Sequence, residues 1–548
     1  MHGKPPATSR PAWHATPHWH WMNDPNAWWR DADGTWHLWF QYRDDPPGYR
    51  LTHWGRLSSD DALVWRDAGI ALHAAPGNDV FSGCIVNTQG QAQRAYVTRN
   101  LSPVADTAAN AGTPGAPGMP TRQVVEAWQR NHPRQPWQAA AGDRLDPGLR
   151  DFRDPFVFRF GAGWRMLVAE PCPWDPAVPG PAQSRLQILR SDDGLQWQPE
   201  GHIGPWDAPR VMWEVPQMLP LSALSGGAVP PDWWLLIVSV LDRRAGVHPG
   251  DIGCAVRWHL GTFDGAHFEP LAAARAAAGA ESAPTLPLAG QALDHGPDFY
   301  AACLQTPDRP DLPQVTPAVM AWMSHWAYAR RLPFDGFAGG PMTLPRRLLW
   351  SAEAGRPGLR QQPSAPVEAA LKAGQTDAPW LTPAQPLSAR PCTVAPALRS
   401  VDIAITLGIN AASQAWLCLG AAQGVAPGAF PTAASTSDAG AAAGMQPASL
   451  RMLFDCQAGC ITLHRAALVA VPGYGGVWQA AWLPAEDGRV DIRVLVDGCC
   501  AEFFIDHGAV VFSALVFLQA GAACTLTAGE GAPVQLIAAR AVVVHAGQ

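Results

Sequence analysis

Short apolar and aromatic runs recur along the chain from about residue 13 to residue 345, separated by Gly, Pro, Asp and Asn. Examples lie at 36–42, 164–169 and 233–240. Runs of this length between turn residues predict β-strands, and this region has no convincing amphipathic helix. The pattern predicts an all-β region. Evenly spaced short strands are compatible with a propeller, a sandwich or a barrel.

A second region of alternating apolar and polar residues extends from 394 to 548, with strand-like segments at 490–496, 501–505 and 509–516. This alternation predicts a β-sandwich. The stretch 346–393 is rich in Pro, Ala and Gln and predicts a linker. A chain of 548 residues is also too long for a single hydrophobic core, which favours two domains. We therefore expect a β-rich domain at 13–345, a linker at 346–393 and an accessory sandwich at 394–548.

Charge and composition exclude several function classes. The formal net charge is −7 and basic residues form no long run, so neither nucleic acid nor an anionic membrane is an expected partner. No segment has the length of a membrane span or the pattern of a signal peptide. The eleven cysteines are scattered, which favours free thiols and a reducing compartment. We expect a cytoplasmic protein that acts on a neutral substrate.

Three short segments combine acidic residues with a following proline. They are WMNDPN at 21–26, DFRDP at 151–155 and WEVP at 213–216. Asp24 is a candidate nucleophile, and Arg153 can hold a carboxylate ionised or bind vicinal hydroxyls. Apolar neighbours packed around Glu214 would raise its pKa toward the range of a general acid. Two such carboxyl groups are what retaining glycoside hydrolysis requires.

Each segment also has a purely structural interpretation. Asp24 lies in a sequence that is typical of an Asx turn. Arg153 and its neighbours are compatible with a surface ion pair, and Glu214 with a partly exposed strand end. The order and number of the segments are what favour a catalytic interpretation.

The three segments, in this order, resemble the acidic blocks of glycoside hydrolase family 32, the family of invertases, inulinases and levanases. Further blocks are similar and extend the resemblance over nearly the whole chain. They are FQY at 40–42, WG at 54–55, FSG at 81–83, LDHGPDFYA at 293–301, WMSHW at 322–326, MTLPR at 342–346, VD at 496–497 and AEFF at 501–504.

The resemblance implies a five-bladed β-propeller followed by a C-terminal β-sandwich. It implies Asp24 as nucleophile, Glu214 as acid/base and Asp154 as stabiliser of the fructosyl transition state, in a β-fructofuranosidase that needs no metal or organic cofactor. The expected substrates are sucrose, fructo-oligosaccharides or fructans. The substrate-binding residues carried over are Trp21, Asn23, Gln41, Tyr49, Trp54, Phe81, Ser82, Arg153, Tyr300 and Trp326.

The chain departs from the family pattern at Ala27, where Gly is usual, and at Val215, where Cys is usual. Neither change removes a catalytic carboxylate. Three other functions stay open at this stage. They are fructosyl transfer at the same site, action on arabinosides or xylosides as in a related propeller family, and sugar binding without turnover.

Overall fold

A computed structural model describes most of the chain. The described residues are 10–44, 51–88, 92–103, 121–132, 135–141, 144–172, 183–225, 229–248, 252–271, 290–307, 317–351, 358–375, 377–421, 449–468, 471–519 and 521–545. They form two compact units. One contains 14–330 and 336–370, and the other contains 1–13, 331–335 and 371–548.

The first unit is a β-propeller with five antiparallel sheets, or blades. Strands are numbered in chain order. Blade 1 consists of β1 (His20–Arg30), β2 (Trp36–Arg43), β3 (His53–Ser59), β4 (Arg66–Leu72) and the short β20 (Phe337–Ala338). Blade 2 consists of β5 (Asn78–Asn87), β6 (Gln93–Leu101), β7 (Arg122–Arg130) and β8 (Gln138–Ala139). Blade 3 consists of β9 (Arg153–Phe160), β10 (Gly163–Pro171), β11 (Ser184–Ser191) and β12 (Gln198–Ile203).

The remaining two blades complete the ring. Blade 4 consists of β13 (Val211–Pro220), β14 (Trp233–Asp242), β15 (Gly253–Phe263), β16 (Phe268–Pro270) and β17 (Gln291–Ala292). Blade 5 consists of β18 (Tyr300–Leu304), β19 (Ala318–Trp322), β21 (Arg346–Ser351) and β22 (Gly358–Pro363). Helix α1 (Ser222–Ser225) and a 3₁₀ turn (Ala329–Arg331) lie in the connections.

The first strand of each blade is the inner one. Strands β1, β5, β9, β13 and β18 contact one another in sequence, and β18 returns to β1. The ring is also joined by β20, which pairs in parallel with β1 through Phe337 opposite His20. Blade 1 therefore contains, besides the first four strands, a short strand that lies between β19 and β21 of blade 5 in the sequence.

Apolar residues between neighbouring blades build separate cores. One core contains Trp54, Val80 and Val97 of blades 1 and 2. Another contains Leu186, Trp213 and further residues of blades 3 and 4. Trp29, Trp39 and Trp54 are buried in the first core and Trp213 and Trp234 in the second, where large flat rings fill the space between twisted sheets.

The second unit contains a β-sandwich of two antiparallel sheets. Its first sheet is built from β23 (Trp380–Thr382), β24 (Gln385–Pro386), β26 (Ser400–Gly408), β31 (Arg489–Asp497), β32 (Cys500–Ile505), β33 (Val510–Leu515) and β35 (Gln535–Val543). Its second sheet is built from β25 (Cys392–Ala395), β27 (Gln414–Ala421), β28 (Leu450–Asp455), β29 (Cys460–Arg465), β30 (Gly476–Ala481) and β34 (Ala522–Ala528). Alternate residues such as Ile403, Phe503, Leu417 and Met452 form one common core.

The stretch 346–393 differs from the predicted linker. Its first part forms β21 and β22, which complete blade 5, and α2 (Ala365–Ala373) follows. Arg346 explains why this segment was missed. Its guanidinium is fully buried and bonds Asp294 at 2.8 Å, so a charged residue stands at a core position of a strand.

The N-terminal segment belongs to the sandwich unit. The fully buried carboxylate of Asp497 accepts hydrogen bonds from the backbone N–H groups of Ala12 at 2.8 Å and Trp13 at 2.6 Å. Asp497 thereby satisfies the buried donor of Trp13 and also bonds the exposed residue Ala12.

All eleven cysteines lie among the described residues and none forms a disulfide. Across the part of the chain that the structure describes, no helix combines the length and the apolarity needed to cross a membrane.

Candidate active site

Each of the five inner strands contributes one polar side chain near its N-terminal end. These side chains are Asp24 on β1, Ser82 on β5, Asp154 on β9, Glu214 on β13 and Tyr300 on β18. The three acidic ones, Asp24, Asp154 and Glu214, are called the carboxylate cluster below. The sequence separates them widely, and the ring of inner strands brings them together.

A β-bulge marks every one of these positions. The register of β1 against β2 shifts between Met22 and Pro25, and that of β13 against β14 shifts between Glu214 and Gln217. The inner strands of the other three blades shift at Ser82, Asp154 and Ala301. A bulge re-aims a side chain, which explains how edge residues of five sheets turn toward one centre.

Proline follows the bulged residue in three of these strands. Pro25, Pro155 and Pro216 stand where the ladder is interrupted and no backbone N–H is needed, which is the position at which a strand tolerates proline. At the β5 bulge, the residue after Ser82 has to be glycine for steric reasons. A Cβ atom on Gly83 would lie 2.0 Å from the carbonyl oxygen of Tyr96.

Three residues at these bulges have left-handed backbone. Asp154 has a φ of 60°, Val215 of 47° and Ala301 of 51°. Each either belongs to the carboxylate cluster or directly follows Glu214 or Tyr300. A β-branched valine rarely adopts this conformation, and such backbone costs on the order of 1–3 kcal/mol when the surrounding structure enforces it.

Asp24 is held by three side-chain donors. Its Oδ1 accepts from Asn23 Nδ2 at 2.9 Å, and its Oδ2 accepts from Ser82 Oγ at 2.7 Å and Gln41 Nε2 at 3.3 Å. Burial raises the pKa of Asp24, the bonds from Asn23 and Ser82 lower it, and the charge of Glu214 raises it further. The donors therefore stabilise the ionised form that a nucleophile requires.

Trp21 controls which way the Asn23 amide faces. The indole Nε1 donates to Asn23 Oδ1 at 2.7 Å, so the Nδ2 group points to Asp24 and to Gln41 Oε1 at 3.0 Å. The Trp21 ring is buried and stacks against half-buried Trp326, with centroids 6.2 Å apart. The indole N–H of Trp21 can only donate a hydrogen bond, whereas the Asn23 amide can donate and accept. The bond to the amide oxygen therefore fixes which way the amide faces.

Asp154 is fixed through both its backbone and its side chain. Its N–H donates to Thr98 Oγ1 at 2.9 Å, and its Oδ2 accepts from the N–H of Val215 at 3.0 Å. Burial raises the pKa of Asp154 to about 7, Arg153 opposes this, and the charges of Glu214 and Asp24 add to it. Burial and the two neighbouring negative charges thus favour the protonated form of Asp154, whereas Arg153 favours the ionised form.

Glu214 is surrounded by donors rather than by the apolar packing that its sequence neighbours predict. Arg153 donates to Oε1 from Nε at 3.2 Å and from Nη2 at 3.0 Å, and the Tyr300 hydroxyl donates to Oε2 at 2.5 Å. Trp213 packs into the core between blades 3 and 4, with its indole bonded to Asp207 at 2.7 Å. Successive strand residues face opposite ways, which separates Trp213 from the carboxylate.

Arg153 links two members of the carboxylate cluster. Its Nε lies 4.0 Å from Asp154 Oδ2, and its Nη1 bonds Asp151 at 2.5 Å and Gln123 at 3.2 Å. Burial disfavours the guanidinium charge, but Glu214, Asp154 and Asp151 outweigh this and raise the pKa of Arg153. Arg153 is therefore a permanent cation that compensates the buried carboxylates.

The other predicted binding residues lie in different places. Phe81 is half-buried beside Ser82 on the β5 bulge. Trp54 differs from the prediction, because its ring is fully buried in the core between blades 1 and 2 and its Nε1 donates to the Phe81 carbonyl at 2.9 Å. Tyr49 lies outside the described residues. Ala27 is buried in the same core as Trp54, on the strand that carries Asp24.

Sequence reasoning missed two polar residues that support the site, Thr98 and Gln123. Gln123 Oε1 accepts from Arg153 and from the N–H of Phe152 at 3.0 Å. Both residues lie on the second and third strands of blade 2 and are surrounded in sequence by ordinary strand residues. Their role becomes visible only in the structure, where blade 2 packs against blade 3. Among the described residues, no group of three or more His, Cys, Asp or Glu is arranged to hold a metal ion.

Comparison with protein-family models gives two matches. The model of the glycosyl hydrolases family 32 N-terminal domain matches residues 14–363, and the model of the family 32 C-terminal domain matches residues 400–539. The first match covers more than half of the chain, including all five blades.

Similar curated proteins include an extracellular exo-inulinase of Aspergillus niger, 28% identical over 397 residues, which are 65% of this chain and 64% of the inulinase. A levanase of Bacillus subtilis is 29% identical over 350 residues, 62% of this chain and 44% of the levanase. The matches thus span less than two thirds of either relative.

Among solved structures, the exo-inulinase of Aspergillus awamori superposes with a TM-score of 0.73 at 21% identity, covering 100% of this chain and 99% of that one. A fructofuranosidase of Schwanniomyces occidentalis in complex with fructose also superposes with a TM-score of 0.73, at 18% identity and 99% and 100% coverage. At these identities the likeness shows the fold, a propeller followed by a sandwich.

Proposed function

The chain belongs to glycosyl hydrolase family 32, and from this membership we propose that it hydrolyses terminal β-D-fructofuranosyl bonds with retention of configuration. Asp24 is the nucleophile, Glu214 the acid/base and Asp154 the transition-state stabiliser. The observation that carries the proposal is the carboxylate cluster itself, in which three acidic groups from three blades are held around Arg153.

The first step uses both ends of the cluster. An ionised Asp24 oxygen forms a bond to the anomeric carbon of the fructosyl unit, the glycosidic bond breaks, and Glu214 gives its proton to the leaving oxygen. Arg153 can only donate to Oε1, whereas the Tyr300 hydroxyl can donate or accept. The geometry therefore favours Oε2, which faces Tyr300, as the oxygen that carries the proton.

The second step releases fructose. Glu214, now ionised, takes a proton from water, and the water oxygen displaces Asp24 from the anomeric carbon. Asp154 faces the sugar without bonding to it covalently, and its carboxylate offsets positive charge on the ring in both transition states. Buried donors around Asp24 are already in place before the substrate arrives, so little reorganisation is needed.

Sucrose and fructans are the proposed substrates. This rests on the relatives, which are named as an inulinase, a levanase and invertases, and on the neutral, buried side-chain donors Asn23, Gln41 and Ser82 beside the nucleophile. The net charge of the chain suits an uncharged sugar.

The test is release of fructose from sucrose, sucrose phosphate, inulin and levan. Asp24→Asn and Glu214→Gln should each lose at least about 10³-fold in kcat/KM, because each removes a group that acts on the reacting atoms. Asp264→Asn is the matched control, since Asp264 lies in an exposed turn of blade 4 and bonds its own loop. Its activity should equal that of the wild type.

Stereochemistry tests the mechanism separately. With methanol as acceptor, retention gives methyl β-D-fructofuranoside, which nuclear magnetic resonance distinguishes from the α anomer. The α anomer would contradict the covalent mechanism. A folded wild-type protein that forms neither fructose nor a fructoside from any of the four sugars would contradict the proposed function.

A further inference from the structure

Thr98 joins two of the bulges that aim the site residues. It lies on β6, directly opposite Phe81 in the register, and its side chain is fully buried. Its Oγ1 donates to the carbonyl oxygen of Ser82 at 2.7 Å and accepts from the N–H of Asp154 at 2.9 Å. One hydroxyl thus connects blade 2 to blade 3 at the level of the carboxylate cluster.

The direction of both bonds follows from the groups involved. A backbone N–H can only donate and a carbonyl can only accept. The single proton of the Thr98 hydroxyl is therefore donated to the carbonyl of Ser82, and an oxygen lone pair accepts the N–H of Asp154. No other arrangement satisfies both backbone groups. Among uncharged side chains of this size only serine offers the same pair of bonds.

Both backbone groups lie at bulges, where the register of the strand pairing is interrupted. Phe81 pairs with Thr98 and Gly83 with Val97, so the register of β5 against β6 shifts at Ser82. On β9, Arg153 pairs with Ala169 and Phe156 with Leu167, which leaves Asp154 in the irregular part of the register. Loss of a hydrogen bond to a buried polar group costs about 1–3 kcal/mol, so removal of the hydroxyl weakens the restraint on both bulges.

We propose that Thr98 is a positioning residue of the active centre, whose hydroxyl fixes Ser82 and Asp154 relative to each other across the boundary of blades 2 and 3. The inference rests on the proposed function. Ser82 in turn bonds Asp24, so the chain Asp24, Ser82, Thr98, Asp154 sets the placement of the nucleophile against the stabiliser.

The consequence should appear in turnover more than in binding. The left-handed backbone of Asp154, with a φ of 60°, is held by the bond to Thr98 and by the contact of its side chain with Val215. Without the first restraint the carboxylate shifts, and a displacement of about 1 Å from the reacting centre reduces rate about 10²-fold. An interaction made mainly in the transition state lowers kcat and leaves KM nearly constant.

The experiment compares four variants on sucrose or inulin, whichever the wild type cleaves faster. Thr98→Val has the same shape without the hydroxyl, and Thr98→Ser restores it. Thr306→Val is the matched control, because Thr306 is a buried threonine of the same unit whose Oγ1 donates to the backbone of Ile85 at 3.2 Å. Thr98→Ala covers the case in which Thr98→Val does not fold.

We expect Thr98→Val to lose about 10- to 100-fold in kcat with KM changed less than about threefold. Thr98→Ser and Thr306→Val should stay within about threefold of the wild type. Equal loss in Thr98→Val and Thr306→Val, wild-type kcat in Thr98→Val, or equal activity of Thr98→Ala and Thr98→Ser would each overturn the inference.

Failure of the proposed function would look different. In that case the wild type releases no fructose at all, and crystal structures of Thr98→Val and Thr306→Val decide the inference. Departure of Asp154 from its left-handed backbone in the first variant only would support a positioning role, and an unchanged Asp154 in both would overturn it.

Discussion

The hydroxyl of Ser82 lies 2.7 Å from Oδ2 of Asp24, so a hydrogen bond crosses from blade 2 to the nucleophile of blade 1. Gln41 Nε2 reaches both partners, at 2.5 Å from Ser82 Oγ and 3.3 Å from Asp24 Oδ2. The charge of Asp24 is therefore stabilised by a neighbouring sheet, and the pKa of Asp24 depends on how the two blades meet.

Removing this hydroxyl should move the acid limb of the activity profile. The bond from Ser82 lowers the pKa of Asp24, so Ser82→Ala raises it, and a higher pH is needed to ionise the nucleophile. We expect kcat/KM to fall about 10- to 100-fold at neutral pH, since a hydrogen bond to a charged group contributes about 1.5–3 kcal/mol. Measurement of kcat/KM against pH checks both effects.

Ser364→Ala serves as control for the serine variant. Ser364 is buried at the start of α2, and its Oγ has no hydrogen-bond partner in the described part of the chain. Its pH profile should coincide with that of the wild type. An acid limb that stays in place in Ser82→Ala would contradict the role given to the hydroxyl.

Arg153 should not tolerate lysine. The guanidinium bonds Glu214 through two nitrogens and also reaches Asp151 and Gln123, whereas an ammonium is a single point charge. We expect Arg153→Lys to lose at least about 10²-fold in kcat/KM although the charge is retained, because one misplaced catalytic carboxyl has that effect. Initial rates of fructose release over a range of substrate concentrations give the value.

Arg185→Lys provides the comparison. Arg185 bonds Glu170 through Nε at 2.7 Å in blade 3, a single contact that lysine can imitate. Its kcat/KM should remain within about threefold of the wild type. Similar losses in both variants would mean that the Arg153 geometry is unimportant.

The raised pKa of Asp154 predicts how stability varies with pH. An aspartate ordinarily titrates near 3.8, and burial raises the pKa of Asp154 to about 7. Between these values the unfolded chain has lost the proton that the folded chain keeps, so the contribution of Asp154 to stability falls as the pH rises through this window. Asp154→Asn should therefore gain stability relative to the wild type from pH 4 to pH 8, by a few kcal/mol on the order of magnitude of that shift.

Asp242 offers a control of opposite sign. Hydrogen bonds from Arg244 lower the pKa of Asp242 despite partial burial, so its contribution is present above the ordinary value and is lost as the pH falls. The ordinary value is 3.8, so Asp242→Asn should cost nearly the same stability at pH 8 and at pH 4, whereas the effect of Asp154→Asn grows over this range. Thermal unfolding of both variants and the wild type over this range measures the difference, and the same trend in both would contradict the assignment.

Asp497 should matter for stability and not for chemistry. Asp497→Ala leaves the buried N–H group of Trp13 without its acceptor, which should cost about 1–3 kcal/mol in the unfolding of the sandwich unit. Denaturant titration and limited proteolysis of the N-terminal segment report this loss.

The control for Asp497 is Asp377→Ala, which removes a half-exposed ion pair with His545 in the same unit. It should change stability by less than about 0.5 kcal/mol. An Asp497→Ala protein as stable as this control would show that the two backbone bonds are replaced by others.

The alternation of apolar and polar residues predicted strands in both units, because each strand buries one face against a neighbouring sheet. It did not distinguish a propeller from a sandwich, since the same four-stranded meander serves both folds. Arg346 shows where the pattern failed. Its buried ion pair with Asp294 places a charged residue in a core strand, so the sequence pattern predicts a polar linker there.

The site residues that could be predicted from the sequence are those that carry a reactive side chain and also lie at a β-bulge. Asp24 and Asp154 each precede a proline that the ladder tolerates only at a bulge, so the acidic segments stand out in the sequence. Thr98 could not be found in this way. Its partners are backbone atoms of two other strands, and nothing in the sequence of β6 indicates that Thr98 bonds them.

The pairing of β1 with β20 has a consequence for the order in which the protein forms. During translation β1 leaves the ribosome long before β20, so His20 and Trp21 cannot form their parallel pairing until Phe337 and Ala338 have been made. Blades 2, 3 and 4 can form on the nascent chain from consecutive segments, whereas blade 1 gains its fifth strand only when β20 is made. A ribosome-bound chain that ends before β20 should therefore expose the first residues of this edge to chaperones, and synthesis of Phe337 and Ala338 covers that part of it.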